Sequence, residues 1–193
     1  MNLPNKLTVL RICMVPMFVF FMLAEFVPHR FLIALFLFAL ASYTDHLDGH
    51  IARSRNLITN FGKLMDPLAD KILVMSALIC FVRLNLASAV CVIIIMFREF
   101  AVTSIRMLAV EQGQVIAANN WGKAKTVSQM LAILMILALQ TAAGFGVTAV
   151  VHFGSWPVDL FWVIGQCLIY IATGLALISG IIYARDARQL IGQ

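Results

Sequence analysis

Charge is scarce in this chain, and acidic charge scarcer still. Only 12% of its 193 residues are Asp, Glu, Lys or Arg, and nine of those are acidic, against 62% hydrophobic residues and a mean hydropathy of +0.96. A soluble core of this size could not hide that much apolar surface, which excludes an ordinary water-soluble domain and makes lipid the solvent. Cysteine is sparse as well. Cys13, Cys80, Cys91 and Cys167 each stand inside an apolar segment, without Cys-x-x-Cys or zinc-like spacing. A disulfide framework and a zinc site are thereby excluded, and the four read as small packing residues. Low-complexity tracts, domain linkers and internal repeats are missing, so one membrane domain over 1–193 is expected. The first apolar run continues without a small-residue cleavage site, so no cleavable signal peptide is expected.

The net charge of +5 and a pI near 9.3 raise the question of a nucleic-acid partner. The placement of the basic residues argues against one, because they fill the short gaps between apolar runs. Six such runs follow one another: about 9–27, 31–53, 60–82, 86–110, 126–142 and 158–183. Each is near the roughly 20 residues that a spanning helix needs, so the expected fold is all-α and integral to the membrane, with six transmembrane helices. The opening MNLPNKLT is polar for this protein and is expected to form a short interfacial segment, with Arg11 snorkelling to the surface. Thr59 or Asn60 is an N-cap candidate for the third run. Pro67 leaves two options there: a helix from about Asn60 that is locally bent, or one capped by Asp66 with Pro67 in its first turn. Residues 111–125 are the longest polar connection, and Gly144, Gly146, Gly154 and Pro157 punctuate the last loop. Lys6, Arg11, Arg53, Arg55, Lys63, Lys71, Arg106, Lys123, Lys125, Arg185 and Arg188 fall at one face, Arg30 and Arg83 at the other, and Arg98 within a span. Both termini are therefore expected in the cytoplasm, in a protein of the cell (inner or plasma) membrane.

Four of the nine acids, Asp45, Asp48, Asp66 and Asp70, gather in one stretch, DHLDGHIARSRNLITNFGKLMDPLAD. Carboxylates beside a membrane segment are costly without a counter-charge. The spacings, three and four residues, put each pair on one face of a helix. Carboxylates converging in a partly desolvated cleft either take up protons or bind cations. An all-oxygen donor set suits Mg²⁺, Mn²⁺ or Ca²⁺, and two ions about 3.5–4 Å apart would form a phosphoryl-transfer site. Gly49, Ala52 and Gly62 between them leave room for a bulky ligand. The plainer reading, acids that merely end helices at an interface, accounts for one pair but not for four with interleaved small residues. His46 and His50 share a face roughly opposite that of Asp45 and Asp48, which makes them poor ligands for the same ions.

The stretch resembles the signature of the CDP-alcohol phosphatidyltransferase family: Asp-x-x-Asp-Gly-x-x-Ala-Arg, eight residues, then Gly-x-x-x-Asp-x-x-x-Asp. Asp45, Asp48, Gly49, Ala52, Arg53, Gly62, Asp66 and Asp70 fill every fixed position. NLPNKLTVLR at the start, REFAVTSIR at 98–106 and WGKAKTVSQ at 121–129 look like the branch whose acceptor is glycerol 3-phosphate. The likeness runs to about residue 130; beyond it the chain is similar only in being hydrophobic.

That resemblance implies a six-helix membrane fold, usually homodimeric, with its site facing the cytoplasm. It implies two divalent cations, Mg²⁺ or Mn²⁺, held by Asp45, Asp48 and Asp66 with help from Asp70, the general base. The implied donor is CDP-diacylglycerol, placed near Gly49, Ala52, Arg53 and Gly62, with Pro4, Asn5 and Thr8 approaching the nucleotide. Arg98, Arg106, Lys123 and Lys125 are candidates for the acceptor phosphate. Against that, Arg98 has a structural ion pair with Glu99 open to it, and Lys123 and Lys125 fit plain positive-inside topology. Small residues in the sixth run, Gly165, Gly174, Ala176 and Gly180, allow close helix contacts. Rival readings are the same chemistry on phosphatidylglycerol, inositol phosphate or serine, and a cation or proton transporter relaying through buried carboxylates. Acids clustered at one membrane face suit catalysis better than a relay.

Overall fold

The computed structural model describes residues 3–54, 60–111, 120–153 and 156–191; within them the side chains of 3–7, 45–68, 70, 110–111, 152–153, 156 and 189–191 lie outside the description. Six helices follow in order: α1 (Leu3–Leu23), α2 (Arg30–Ser54), α3 (Asn60–Arg83), α4 (Ala89–Glu111), α5 (Asn120–Gly144) and α6 (Leu160–Ile191). Between α5 and α6 lie two short strands, β1 (Val150–Phe153) and β2 (Trp156–Asp159). The residues fall into two compact units, Met1–Phe81 with Ile133–Phe161, and Val82–Ala132 with Trp162–Gln193.

In the first unit α1 packs on α2. Met14, Phe18 and Met22 recur every fourth residue on α1, all buried, and Ala34, Phe38 and Ala41 line the buried stripe of α2. The rings of Phe18 and Phe38 meet at 5.8 Å. Ala69, Leu73, Ala77 and Phe81 repeat the four-residue spacing on α3, and Ile133 and Leu137 are buried on α5. The opposite faces are as apolar as the buried ones: Phe36 is 66% exposed, and Phe20, Leu40 and Ile79 are exposed too. Helices hydrophobic all round belong in lipid or in a large core. Among the described residues, α5 and the Leu160–Arg188 part of α6 are each long and apolar enough to cross a membrane.

The connections explain several boundaries. His29 takes a left-handed backbone, φ 53°, at the end of the α1–α2 turn, and its ring stacks on Phe145 at 4.3 Å. At the end of α5 the amide of Val147 bonds to Ala142 and that of Gly146 to Ala143. Gly146, at φ 84°, supplies the left-handed residue that such a helix stop needs. β1 and β2 then pair antiparallel, Val150 opposite Asp159 and Val151 opposite Val158. Asp159 accepts the amide of Phe161 at 2.9 Å and so caps α6.

Some expectations change. Residues 3–8 form the first turns of α1 itself, with Pro4 where its missing N–H leaves no bond unmade, so a separate interfacial segment is not what these residues build. Arg11 is 1% exposed and enclosed by protein, so it does not snorkel outward. α3 runs unbroken from Asn60 past Pro67, the first of the two options. Thr59, the other cap candidate, lies outside the described residues. α5 begins at Asn120, earlier than the apolar run suggests, and takes Lys123 and Lys125 out of the polar connection. The glycine- and proline-marked loop holds a β-hairpin, because Val150, Val151 and Val158 favour extended backbone.

In the second unit α4, the first turns of α5 and nearly all of α6 come together. The turn before α4 has Asn85 at φ 58°, and its carbonyl accepts the indole N–H of Trp162 at 3.0 Å. Ile95, Val102, Ile169, Ala172 and Ala176 are buried in this unit.

Candidate functional site

Two groups of charged residues are candidates, one in each unit. Asp45 and Asp48 stand on α2, three positions apart and so on one face, and Asp66 and Asp70 stand on α3, four apart and likewise on one face. Gly49, Ala52 and Arg53 share α2, and Gly62 is in the first turn of α3. The side chains of these eight, and of His46 and His50, lie outside the described residues, as does Arg55. Pro4 and Asn5 open α1, and Thr8, one turn later, is fully buried. Among the described residues no group of three or more His, Cys, Asp or Glu side chains is gathered to hold a metal. For the four aspartates the fit rests on donor chemistry: carboxylate oxygens alone, paired on helix faces, match hard divalent cations and not zinc or copper.

The second group is described in full, and it centres on a carboxylate. Glu99 Oε1 accepts from Arg98 Nη1 at 2.9 Å and from Lys125 Nζ. The three side chains are 12%, 10% and 4% exposed, so this is an enclosed cluster and not a surface pair. Arg98 also donates through Nη2 to Ser179 Oγ on α6, while its buried Nε has no hydrogen-bond partner among the described residues. Arg106, two turns further along α4, donates through Nη2 to the Tyr183 hydroxyl at 2.5 Å. The Tyr183 ring lies 5.1 Å from the Arg106 guanidinium carbon and 5.7 Å from that of Arg98. Gly180 leaves space for the Arg98 stem: a Cβ there would stand 3.0 Å from Arg98 Cγ.

Three of the four expected acceptor-site cations therefore come together, Arg98 and Lys125 through Glu99, and Arg98 and Arg106 against Tyr183. Lys123 does not join them; two positions from Lys125 on the same helix, it is exposed. The Arg98–Glu99 ion pair expected as the structural alternative exists, but it is not a balanced pair. One carboxylate serves two cations, and Arg106 adds a third. Ser179 and Tyr183 were not legible as members. They sit in an apolar run some eighty residues from Arg98, and only their spacing of four, one face of a helix, hinted that they act together.

The sequence model of the CDP-alcohol phosphatidyltransferase family matches residues 1–161. The chain belongs to that family. It is accordingly an enzyme, a CDP-alcohol phosphatidyltransferase. The CDP-diacylglycerol–glycerol-3-phosphate 3-phosphatidyltransferase of Bacillus subtilis is 48% identical over 147 residues, covering 70% of this chain and 76% of that protein. Proteins of the same name from Pseudomonas fluorescens and Rickettsia bellii are 34% and 35% identical. Both alignments cover 97% of this chain, with 90% of the first protein and 96% of the second. Similarity to this phosphatidyltransferase family thus extends past residue 130, through the hydrophobic last third, where no charged motif marks it.

Proposed function

We propose that this phosphatidyltransferase transfers the phosphatidyl group of CDP-diacylglycerol to glycerol 3-phosphate, giving phosphatidylglycerophosphate and CMP. The observation that carries a phosphate-bearing acceptor is the gathering of Arg98 and Lys125 on Glu99 with Arg106 held on Tyr183, which suits a phosphate monoester and has no counterpart need in serine. The shared name of the relatives supports both substrates. In this reading 1–193 is a single domain integral to the cell membrane, with six spans, termini and site on the cytoplasmic side, and it works as a homodimer.

Asp45, Asp48, Asp66 and Asp70 would hold two divalent cations, Mg²⁺ or Mn²⁺, which when bound neutralise the donor diphosphate and the departing CMP. Asp70 takes the proton of the acceptor hydroxyl as its oxygen bonds to the β-phosphorus, because an alcohol is a poor nucleophile at neutral pH. The bond from that phosphorus to the bridging oxygen breaks, and CMP leaves with the electron pair. Gly49, Ala52, Arg53 and Gly62, with Pro4, Asn5 and Thr8, line the donor. Arg98, Arg106 and Lys125 bind the acceptor's phosphate, with Lys123 a further, exposed candidate on the same helix as Lys125.

The test is an assay of the purified protein in detergent with CDP-diacylglycerol and Mg²⁺ or Mn²⁺. Release of CMP that needs both the metal and glycerol 3-phosphate is expected. Equal release with serine, inositol phosphate or phosphatidylglycerol in its place would reject the acceptor assignment.

A further inference from the structure

We infer that Tyr183 is a positioning residue for the acceptor's phosphate, acting through Arg106. The role rests on the acceptor reading proposed above and assigns a side chain that this reading leaves unused. Arg106 is exposed near the end of α4, where a long flexible side chain sweeps many rotamers unless something holds it. Tyr183, 2% exposed on α6, holds it twice. Its hydroxyl accepts one guanidinium N–H at 2.5 Å, and its ring covers the guanidinium at 5.1 Å. Together these set both the plane and the rotation of the fork, and a planar fork is useful to phosphate only when its free edge is aimed. Among the described residues Arg106 uses no further N–H donor, so that edge is left for a ligand.

The same ring touches the rest of the cluster. Arg98 lies against it at 5.7 Å, and the first turns of α5 approach it at Gly122. A Cβ at Gly122 would stand 3.5 Å from Tyr183 Cε2 and 3.6 Å from its hydroxyl oxygen, so the ring is seated against the helix face that also carries Lys125 three residues on. One buried side chain therefore touches two of the three cations, the enclosed Arg98 and the exposed Arg106, and packs on the helix start that carries the third. Ring packing alone would be served by phenylalanine; the hydroxyl is what the guanidinium uses.

The experiment is a double-mutant cycle on the full-length enzyme in detergent, with Tyr183→Phe, Arg106→Ala and the double variant. Tyr183→Phe is expected to raise the KM for glycerol 3-phosphate about five- to tenfold, while kcat and the KM for CDP-diacylglycerol change less than about twofold. In the Arg106→Ala background the same change is expected to add nothing. Protection of the resting enzyme against thermal unfolding by inorganic phosphate, read without turnover, is expected to weaken in both single variants. Should Tyr183→Phe not accumulate folded, Tyr183→Met removes the same oxygen. Equal Tyr183 effects in both backgrounds, or a fall in kcat with KM unchanged, overturn the inference. So does an unaltered KM in Tyr183→Phe beside a raised one in Arg106→Ala. An Arg106→Ala enzyme with unaltered KM for glycerol 3-phosphate overturns the acceptor reading itself, and the inference with it.

Discussion

Asp45, Asp48, Asp66 and Asp70 stand on α2 and α3, two helices consecutive in the chain, whereas Arg98, Glu99, Arg106, Lys125, Ser179 and Tyr183 come from α4, α5 and α6. The first group needs only local order: a helix fixes the spacing within each pair whatever surrounds it. The second exists only once three helices have packed, since Glu99 meets Lys125 and Arg106 meets Tyr183 across elements. The two differ in charge logic as well. The acids carry no cation of their own at the motif's fixed positions except Arg53, while the basic group carries its own carboxylate, shared by Arg98 and Lys125. A site for metal can be written as acids alone, because the counter-charge arrives with the ion. A site for phosphate, as proposed for the second group, has to keep several cations together before the ligand comes, and a shared carboxylate would do that.

If the acids do the chemistry, the largest loss falls on Asp70. Asp70→Asn removes a proton acceptor while keeping shape, and kcat should fall by about a thousandfold or more, with donor binding within about threefold of wild type. Single-turnover CMP release and binding of CDP-diacylglycerol measure the two separately. Unimpaired turnover would take Asp70 out of its assigned role.

Glu99→Gln should show that the second group depends on its carboxylate for stability and not for the chemical step. Two enclosed cations, Arg98 and Lys125, lose their shared partner. Removing one side of a buried pair costs about 3–5 kcal/mol. In a chain of 193 residues that lowers the unfolding midpoint by roughly 6–20 °C, measured in detergent. A midpoint unchanged beside a thousandfold fall in kcat would place Glu99 with the acids instead.

Lys123 and Lys125 separate by burial. Lys125→Ala empties a buried position bonded to Glu99 and should raise the KM for glycerol 3-phosphate about tenfold; Lys123→Ala, at an exposed position, should raise it less than about threefold. Equal effects would mean that net surface charge, and not the enclosed cluster, attracts the acceptor.

The helices and the spacing of the four acids along them are legible because both are periodic. Runs of apolar residues and acids three or four apart keep their meaning in any context. What was missed depended on distant partners or on caps. Lys123 and Lys125 read as loop because polarity outweighed the helix that starts at Asn120. The β-hairpin was hidden between Gly146 and Asp159, each of which punctuates a helix and so masks the strands between them. Arg11 near a helix start read as a snorkelling residue, and only packing enclosed it. Tyr183 and Ser179 had no signal of their own, since Tyr and Ser near the end of an apolar helix are ordinary; Arg106 and Arg98 give them a role.

The smallest expected effect tests how tightly the second group is built. Gly174 and Gly180 both lie on α6, yet a Cβ at Gly174 meets nothing within 4 Å, while at Gly180 it meets Arg98 Cγ at 3.0 Å. An alanine in open helix restricts the unfolded chain, so Gly174→Ala should stabilise by about 0.5–1 kcal/mol. At Gly180 the same gain is opposed, because the Arg98 stem has to yield while its guanidinium is bonded to both Glu99 and Ser179. Overpacking of this kind costs about 1–3 kcal/mol, so Gly180→Ala should lower the unfolding midpoint by a few degrees where Gly174→Ala raises it. Equal gains at both positions would show that Arg98 swings freely, and a guanidinium that swings freely is not preorganised for phosphate.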